Sequence, residues 1–237
     1  MVNPPSPRLA VRIETWPIAG QFTISRGAKT EAQVVVAELS QGEFPNPVLG
    51  RGECVPYARY GETVDSVEAE LRGIESALAA GADRSALARL MKPGAARNAA
   101  DCALWDLEAK LSDIPAWRAA GLPPPRSTIT AYTISLDTPS AMGDAAAKAR
   151  TRPLLKLKLG PEAPLACVAA VRRAAPNSRL IADPNEGWSF AQLKTIAPEL
   201  AALGLELVEQ PIPAAEDHKL AGWDAPLLIC ADESFHV

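Results

Sequence analysis

The sequence lacks the features that mark several large classes of protein. It contains no apolar run approaching the ~20 residues that a membrane-spanning helix needs. It has no block of basic residues and a formal net charge of −4, so neither nucleic acid nor an anionic membrane is indicated as a partner. Its first residues, Met1 to Pro7, lack the basic and apolar regions of a signal peptide, and we expect a cytoplasmic protein.

Cysteine and histidine chemistry is also sparse. The four cysteines, Cys54, Cys102, Cys167 and Cys230, show no paired metal-ligand spacing, and their apolar neighbours predict four buried thiols. The sequence contains no Ser/His/Asp arrangement and no glycine-rich phosphate loop. Lysines and carboxylates are therefore the side chains left to carry chemistry.

The first half of the chain has the pattern of a small mixed domain. Apolar and polar residues alternate over 8–15, 32–39 and 48–55, which predicts three antiparallel strands with a loop at 16–29 between the first two. Helical periodicity follows at 62–80, 85–90 and 95–111. Strands followed by helices predict an α+β domain over residues 1–122, which ends before the three prolines at 123–125.

The second half repeats a strand and a helix. Four apolar strands end near Lys158, Asp183, Glu209 and Asp232, at successive separations of 25, 26 and 23 residues, and a fifth strand-like run contains Tyr132. Helical segments fill the gaps at 140–150, 163–175, 189–203 and 214–222. Alternating strands and helices form parallel sheets, so we expect residues 123–237 to form an incomplete (β/α) barrel of about five strands.

Two lysines lie inside the first of these four strands. Lys156 and Lys158 are two residues apart, so both project to the same face of the strand. Burial and like-charge repulsion would lower lysine pKa values, which would allow a lysine to act as a base near neutral pH. An isolated Lys-x-Lys is more typical of a solvated strand edge, but the carboxylates that follow favour a site.

The carboxyl ends of parallel strands meet at one rim, so Lys158 and the three carboxylates should surround a single cavity. Converging carboxylates repel each other unless a cation lies between them, and oxygen ligands favour Mg²⁺, with Mn²⁺ or Ca²⁺ after it. We therefore predict Asp183, Glu209 and Asp232 as metal ligands. The structural alternative is that each acid only caps the helix that follows it.

This arrangement suits one kind of reaction. A carboxylate bound to a metal has weakly acidic hydrogens on its α-carbon, and loss of one creates an enediolate that the metal stabilises. We predict that Lys158 takes this proton. Lys156 would keep Lys158 neutral and hydrogen-bond to the carboxylate of a small-molecule substrate.

These residues resemble the enolase superfamily, in which an α+β capping domain precedes a modified (β/α) barrel. The matching motifs are Lys156-Leu-Lys158, Asp183-Pro-Asn185-Glu-Gly-Trp188, Glu209-Gln-Pro211 and Ala231-Asp232-Glu-Ser234. Within the superfamily, segments 22–31 and 52–62 are most similar to dipeptide epimerases that act on L-Ala-D/L-Glu. This resemblance implies a dipeptide substrate and implies that Arg26 holds its glutamate side-chain carboxylate.

The sequence departs from this family in length. Barrels of this type close with about eight strands, and the resemblance implies a second lysine on the sixth strand and acidic residues on the eighth. Because inversion of an α-carbon needs an acid–base group on each face, we expect that the 237-residue chain, which resembles an amino-terminal portion, does not epimerise. An open sheet has two free edges, so we also expect self-association, with a homo-oligomer as a candidate form.

Three hypotheses about function stay open. The first is a Mg²⁺-dependent dipeptide epimerase of the L-Ala-D/L-Glu type, or a fragment of one. The second keeps the superfamily and changes the substrate, to an N-acylamino acid racemase or a muconate-type cycloisomerase. The third is a non-catalytic metal-binding fragment or interaction module.

Overall fold

The computed structural model of the chain describes residues 6–24, 27–43 and 45–235. Contacts between Cα atoms divide the chain into two compact units. The first unit is built from Met1–Pro17 and Glu31–Arg126, and the second from Ile18–Thr30 and Ser127–His236. The second unit therefore includes a segment from the amino-terminal strands as well as the carboxy-terminal part of the chain.

Three strands form the first sheet, in the order β1 (Arg8–Ile24), β2 (Gly27–Gln41) and β3 (Val48–Cys54). Strands β2 and β3 are antiparallel, with Val35 opposite Cys54. The loop predicted at 16–29 is wrong, because β1 continues to Ile24 and β2 begins at Gly27. Pro17 is compatible with a strand here because β1 lies at the edge of the sheet, where a missing N–H is tolerated.

Helices follow the first sheet, as the sequence predicts. They are α1 (Val64–Gly73), α2 (Glu75–Ala79), α3 (Arg84–Leu90), α4 (Ala95–Ser112) and α5 (Ala116–Ala119), with a 3-10 turn at Ala58–Tyr60. Helix α4 lies directly on β3, and Gly52 permits this approach, since a Cβ atom there would lie 1.9 Å from the Ala99 carbonyl oxygen. The predicted helix at 62–80 is divided at Ile74.

The second sheet has five parallel strands, as predicted, and their spatial order follows the chain. They are β4 (Tyr132–Ile134), β5 (Leu154–Lys158), β6 (Arg179–Asp183), β7 (Leu205–Glu209) and β8 (Leu228–Cys230). The connecting helices are α6 (Pro139–Lys148), α7 (Pro164–Ala174) and α8 (Phe190–Ala202). This strand–helix alternation is that of an incomplete barrel.

The last connection differs from the prediction. Residues 214–222 were expected to be helical, but the structure has a 3-10 turn over Ala214–Leu220. Pro213 precedes this turn and Gly222, with a φ of 73°, follows it, so the segment is shorter than a typical helix of ~10–14 residues. A second 3-10 turn, Glu233–Phe235, follows β8.

Each unit has its own hydrophobic core. Buried residues of β2 such as Val35 and Ala37 contribute to the first, together with Leu71 of α1. Leu157 of β5 and Leu193 of α8 belong to the second, which surrounds the parallel sheet. Among the described residues, no helix is both long and apolar enough to cross a membrane.

The cysteines differ from the prediction in two of four positions. Cys54 and Cys167 are buried, whereas Cys102 and Cys230 are exposed. Cys102 lies on the exposed side of α4, where its sulfur contacts Asn98. Cys230 lies on β8, the last strand of the described sheet. Apolar neighbours in the sequence therefore did not predict the exposure of a cysteine on an outer helix face or on an outer strand.

Candidate functional site

Three carboxylates converge at the carboxyl ends of neighbouring strands. Asp183 and Glu209 are the last residues of β6 and β7, and Asp232 follows the end of β8 by two residues. One carboxylate oxygen from each residue lies within 4.8 Å of the other two. Asp183 is buried, Glu209 is half-buried and Asp232 is exposed, so the group is accessible to solvent on the side of Asp232.

Both lysines of β5 contact the same carboxylate. Lys158 lies opposite Asp183 in the parallel register of β5 and β6, and its Nζ is 2.5 Å from Asp183 Oδ2. Lys156 Nζ lies 2.9 Å from the same oxygen and 2.6 Å from Glu209 Oε2. The structure thus brings together the two lysines and three carboxylates that the sequence singled out.

The two inner carboxylates have pKa values shifted in opposite directions. Burial acts to raise the pKa of Asp183, but hydrogen bonds from Lys158 and Lys156 outweigh it and lower that pKa below its ordinary value. Burial raises the pKa of Glu209, and the charge of Asp183 adds to this effect despite the hydrogen bond from Lys156. Lysine charge is therefore concentrated on Asp183.

The predicted fall in lysine pKa values is wrong for Lys156. Burial acts to lower the pKa of Lys156, as expected, but hydrogen bonds to Glu209 and Asp183 raise it above its ordinary value. The strand register places Asp183 against both ammonium groups, so attraction to carboxylates outweighs repulsion between the lysines.

Sequence reasoning assigned no role to three polar residues at this site. Lys158 donates a hydrogen bond to Asn185 Oδ1 at 2.9 Å, and Asn185 Nδ2 donates to Glu233 Oε1 at 3.4 Å. Gln210 lies directly after Glu209 and is 2% exposed. Their positions in the sequence could have indicated a role, because each of the three lies within two residues of a predicted metal ligand and inside one of the family motifs.

The end of β1 adds an aromatic side chain. The Phe22 ring centroid lies 5.9 Å from Lys158 Nζ, and the Thr23 carbonyl accepts a hydrogen bond from the Leu136 N–H at 3.1 Å. Arg26, predicted to hold a substrate carboxylate, lies outside the described residues. Its role stays a prediction.

The donor set is suited to a hard divalent cation. Asp183, Glu209 and Asp232 all offer oxygen from separate strand ends, which is the ligand type that Mg²⁺ and Mn²⁺ prefer. Three carboxylates carry one more negative charge than two lysines can balance. Burial is the main cause of the raised pKa of Glu209, and the charges of Asp183 and Asp232 add to it, so a bound cation would relieve this repulsion.

Comparison with known proteins shows the family of this chain. Residues 8–121 match the mandelate racemase/muconate lactonizing enzyme N-terminal domain, and residues 141–237 match the enolase C-terminal domain-like family. The L-Ala-D/L-Glu epimerase of Escherichia coli K12 is 41% identical over 226 residues, which cover 94% of this chain and 69% of that protein. The chain belongs to the enolase superfamily, as its motifs predict.

Two further proteins are similar to this chain. An N-acetyl-D-glutamate racemase from a Pseudoalteromonas species is 38% identical over 208 residues, which cover 86% of this chain and 64% of that protein. The crystal structure of an Agrobacterium tumefaciens enolase family member with homology to dipeptide epimerases, with bound sodium and L-Ala-L-Glu, is 47% identical with a TM-score of 0.91. The alignment covers 97% of this chain and 69% of that one.

These relatives also define the class of enzyme. Their names describe epimerases and racemases, which confirms for the family the predicted class of isomerases acting on amino acid derivatives. The chain spans about two thirds of the length of the relatives it matches, with 69% and 64% of the two curated proteins covered.

Proposed function

We propose that this chain removes the proton α to a carboxylate of an L-Ala-D/L-Glu-type dipeptide, as the chemical step of a Mg²⁺-dependent epimerisation. The observation that carries the proposal is the convergence of Lys158 with three carboxylates at one end of the parallel sheet. The epimerase relative and the structure with bound L-Ala-L-Glu support the substrate class.

Lys158 is the proposed base. To act as the base, Lys158 must first release one proton. Asp183 and Asn185 accept hydrogen bonds from its Nζ, so they can hold the two hydrogens that remain. The lone pair then stays available for the α-hydrogen of the substrate. The Phe22 ring near Nζ adds an apolar neighbour, which limits water beside the base.

Lys156 has a different proposed part. Its raised pKa keeps the ammonium group charged, and its two ion pairs hold Asp183 and Glu209 in a common orientation. An ammonium group at this position also attracts the substrate carboxylate, because it offers positive charge beside the proposed base.

Asp183, Glu209 and Asp232 are the proposed ligands of Mg²⁺, with Mn²⁺ as the alternative. The bound ion would supply positive charge that stabilises the enediolate form of the substrate. Arg26 is the proposed partner of the glutamate side chain, for which a guanidinium group has matching geometry.

A second candidate function is supported by one comparison. The Pseudoalteromonas relative is an N-acetyl-D-glutamate racemase, so racemisation of an N-acylamino acid fits the same site. Both substrates contain an acylated glutamate, and they differ in the free amine of the alanine residue. The two functions are therefore separated by the preferred acyl group.

Hydrogen exchange at the α-carbon tests the proposal, because exchange reports proton abstraction alone. The purified chain is incubated in D₂O with Mg²⁺ and either L-Ala-L-Glu or L-Ala-D-Glu, and proton NMR follows the glutamate α-hydrogen. We expect exchange in at least one diastereomer and a loss of at least about 100-fold in Lys158→Met. Lys194→Met, an exposed position on α8, is the matched control and should leave the rate unchanged.

Three results would contradict parts of the proposal. Exchange at the unsubstituted rate in Lys158→Met would exclude Lys158 as the base. Exchange that persists in EDTA would exclude the metal. Faster exchange of N-acetylglutamate than of either dipeptide would favour the second candidate.

A further inference from the structure

Gln210 links the strand ends on which the three carboxylates lie. It follows Glu209 directly, is 2% exposed and has a φ of 36°. A positive φ is uncommon in residues other than glycine and persists where surrounding contacts require it. The proposed chemistry gives Gln210 no part, although it lies within the Glu209-Gln-Pro211 motif.

The side-chain amide of Gln210 is fully used. Its Oε1 accepts hydrogen bonds from the Asp232 N–H at 3.1 Å, the Ser234 N–H at 3.0 Å and the Ser234 Oγ–H at 2.8 Å. Its Nε2 donates to Ile212 O and to Asp217 Oδ1, both at 3.1 Å. Backbone donors on one side and a carbonyl and a carboxylate on the other are compatible with a single orientation of the amide.

The backbone of Gln210 joins the same elements. Its N–H donates to the Cys230 carbonyl of β8 at 2.8 Å, and its own carbonyl accepts from the Glu186 N–H, also at 2.8 Å. The segments after β6, β7 and β8 therefore meet at one buried residue. The first two segments directly follow Asp183 and Glu209, and the third contains Asp232.

Asp232 depends on such support more than the other two carboxylates do. Asp183 and Glu209 lie within strands, where the sheet fixes their backbone, but Asp232 is exposed in the bend beyond β8. The contacts of Gln210 Oε1 connect this bend to the residue beside Glu209. Loss of those contacts would leave the bend free to move away from the other two carboxylates.

We propose that Gln210 is a positioning residue for the carboxylate group, whose buried amide holds Asp232 where it can share one divalent cation with Asp183 and Glu209. This inference rests on the proposed function. Groups that orient metal ligands typically contribute 10–100-fold to metal affinity, roughly the size of effect expected here.

Metal titration of the complete chain tests the inference without an activity assay. Free Mn²⁺ is measured by EPR, and Mg²⁺ binding is checked by calorimetry. Gln210→Met keeps the length of the side chain and removes all five hydrogen bonds, so we expect Mn²⁺ affinity to fall by about 10–100-fold. Gln192→Met is the matched control, because that amide binds only Pro161 O among the described contacts and should stay within about twofold.

Ser234→Ala is the second variant, since Gln210→Met removes buried contacts and can fail to fold. It deletes one of the three donors to Oε1, and we expect Mn²⁺ affinity to fall by about fivefold. The same substitution should have no further effect in the Gln210→Met background. A general loss of stability would not produce this coupling, because it would lower affinity in both backgrounds.

The outcomes separate this inference from the proposed function. If the unsubstituted chain binds Mn²⁺ and both variants bind it within twofold of that affinity, the inference is wrong and the proposed metal site stands. If the unsubstituted chain binds no Mn²⁺, the proposed function and the inference both fail. If Gln210→Met does not fold, Ser234→Ala decides, and an unchanged affinity in that variant overturns the inference.

Discussion

The first sheet contains a group of ion pairs that can be compared with the group at the strand ends of the second. We call the first group the sheet cluster. In it, Glu38 accepts hydrogen bonds from Arg12 at 3.4 Å and from Arg51 at 2.7 Å. Asp106 accepts from Lys110 at 2.7 Å and from the Arg51 N–H at 2.8 Å. The second group, the strand-end cluster, comprises Lys156, Lys158, Asp183, Glu209 and Asp232.

The two clusters use similar residue types and differ in charge balance and burial. Arg12, Arg51 and Lys110 pair with Glu38 and Asp106 in the sheet cluster, and Arg12 also lies 3.7 Å from Glu14, so basic and acidic side chains are equal in number. The pKa values of Glu38 and Asp106 are both lowered, although burial opposes the shift. Two lysines serve three carboxylates in the strand-end cluster, where the pKa of Glu209 is raised. The carboxylates of the sheet cluster are paired with basic side chains, as in a structural group of ion pairs. The strand-end cluster has more carboxylates than lysines, and such partly buried carboxylates indicate a site for a cation.

The largest expected difference is in stability. Asp183→Asn removes the charge that pairs with both lysines, and breaking a buried ion pair in this way costs about 3 kcal/mol or more of unfolding free energy. Glu38→Gln makes the same chemical change among exposed arginines and should cost about 1 kcal/mol or less. Urea unfolding at pH 7 in EDTA measures both values, and equal losses would remove the distinction between the clusters.

Divalent cation should act on one cluster only. A ligand that binds the folded state at 100 times its Kd stabilises that state by about 2.7 kcal/mol, so saturating Mg²⁺ should raise the Tm of the chain. Glu209→Gln should remove most of this increase because it replaces a proposed ligand, and Glu38→Gln should retain it. An unchanged increase in Glu209→Gln would place the bound Mg²⁺ at another site.

The smallest expected effect is the pH dependence of stability. A lowered folded-state pKa means that ionised Glu38 stabilises the fold above its unfolded pKa, and that this contribution disappears as the pH falls through the folded pKa. The stability difference between the chain and Glu38→Gln should therefore decline from about 0.5–1 kcal/mol at pH 7 to zero in acid.

Glu209 should show the opposite sign. Its pKa is raised in the folded state, so the fold binds this proton more tightly and gains stability as the pH falls from above the folded pKa toward the unfolded value. Urea titrations of the chain, Glu38→Gln and Glu209→Gln between pH 3 and 7 would reveal both trends. If the stability difference changed with pH in the same direction for both variants, the two clusters would not differ in charge balance as described.

The strand-end cluster was more predictable than the sheet cluster. Regular spacing predicted that strand ends carry Lys158, Asp183 and Glu209, and a parallel sheet places such ends together. Glu38 and Asp106 belong to a strand and a helix far apart in the chain, and no regular spacing in the sequence relates them. Which surface charges pair depends on how α4 lies across β3, and no local pattern specifies that.

Some features of the predicted site were also not accessible from the sequence. The charge state of Lys156 depends on two carboxylates that approach within 3 Å across two other strands. The extended β1 depends on its edge position in the sheet. The hydrogen bonds of Gln210 depend on the paths of the segments after β6, β7 and β8.

The sequence by itself determined the alternation of strands and helices, the side of the sheet to which Lys156 and Lys158 project, and the residue types that end each strand. These follow from local periodicity, because side-chain direction in a strand repeats every two residues. Only the tertiary structure decided which lysine pairs with which carboxylate and which residue supports Asp232. Those contacts require register between strands and closure of the connecting segments, since hydrogen bonds weaken within fractions of an ångström of their preferred length.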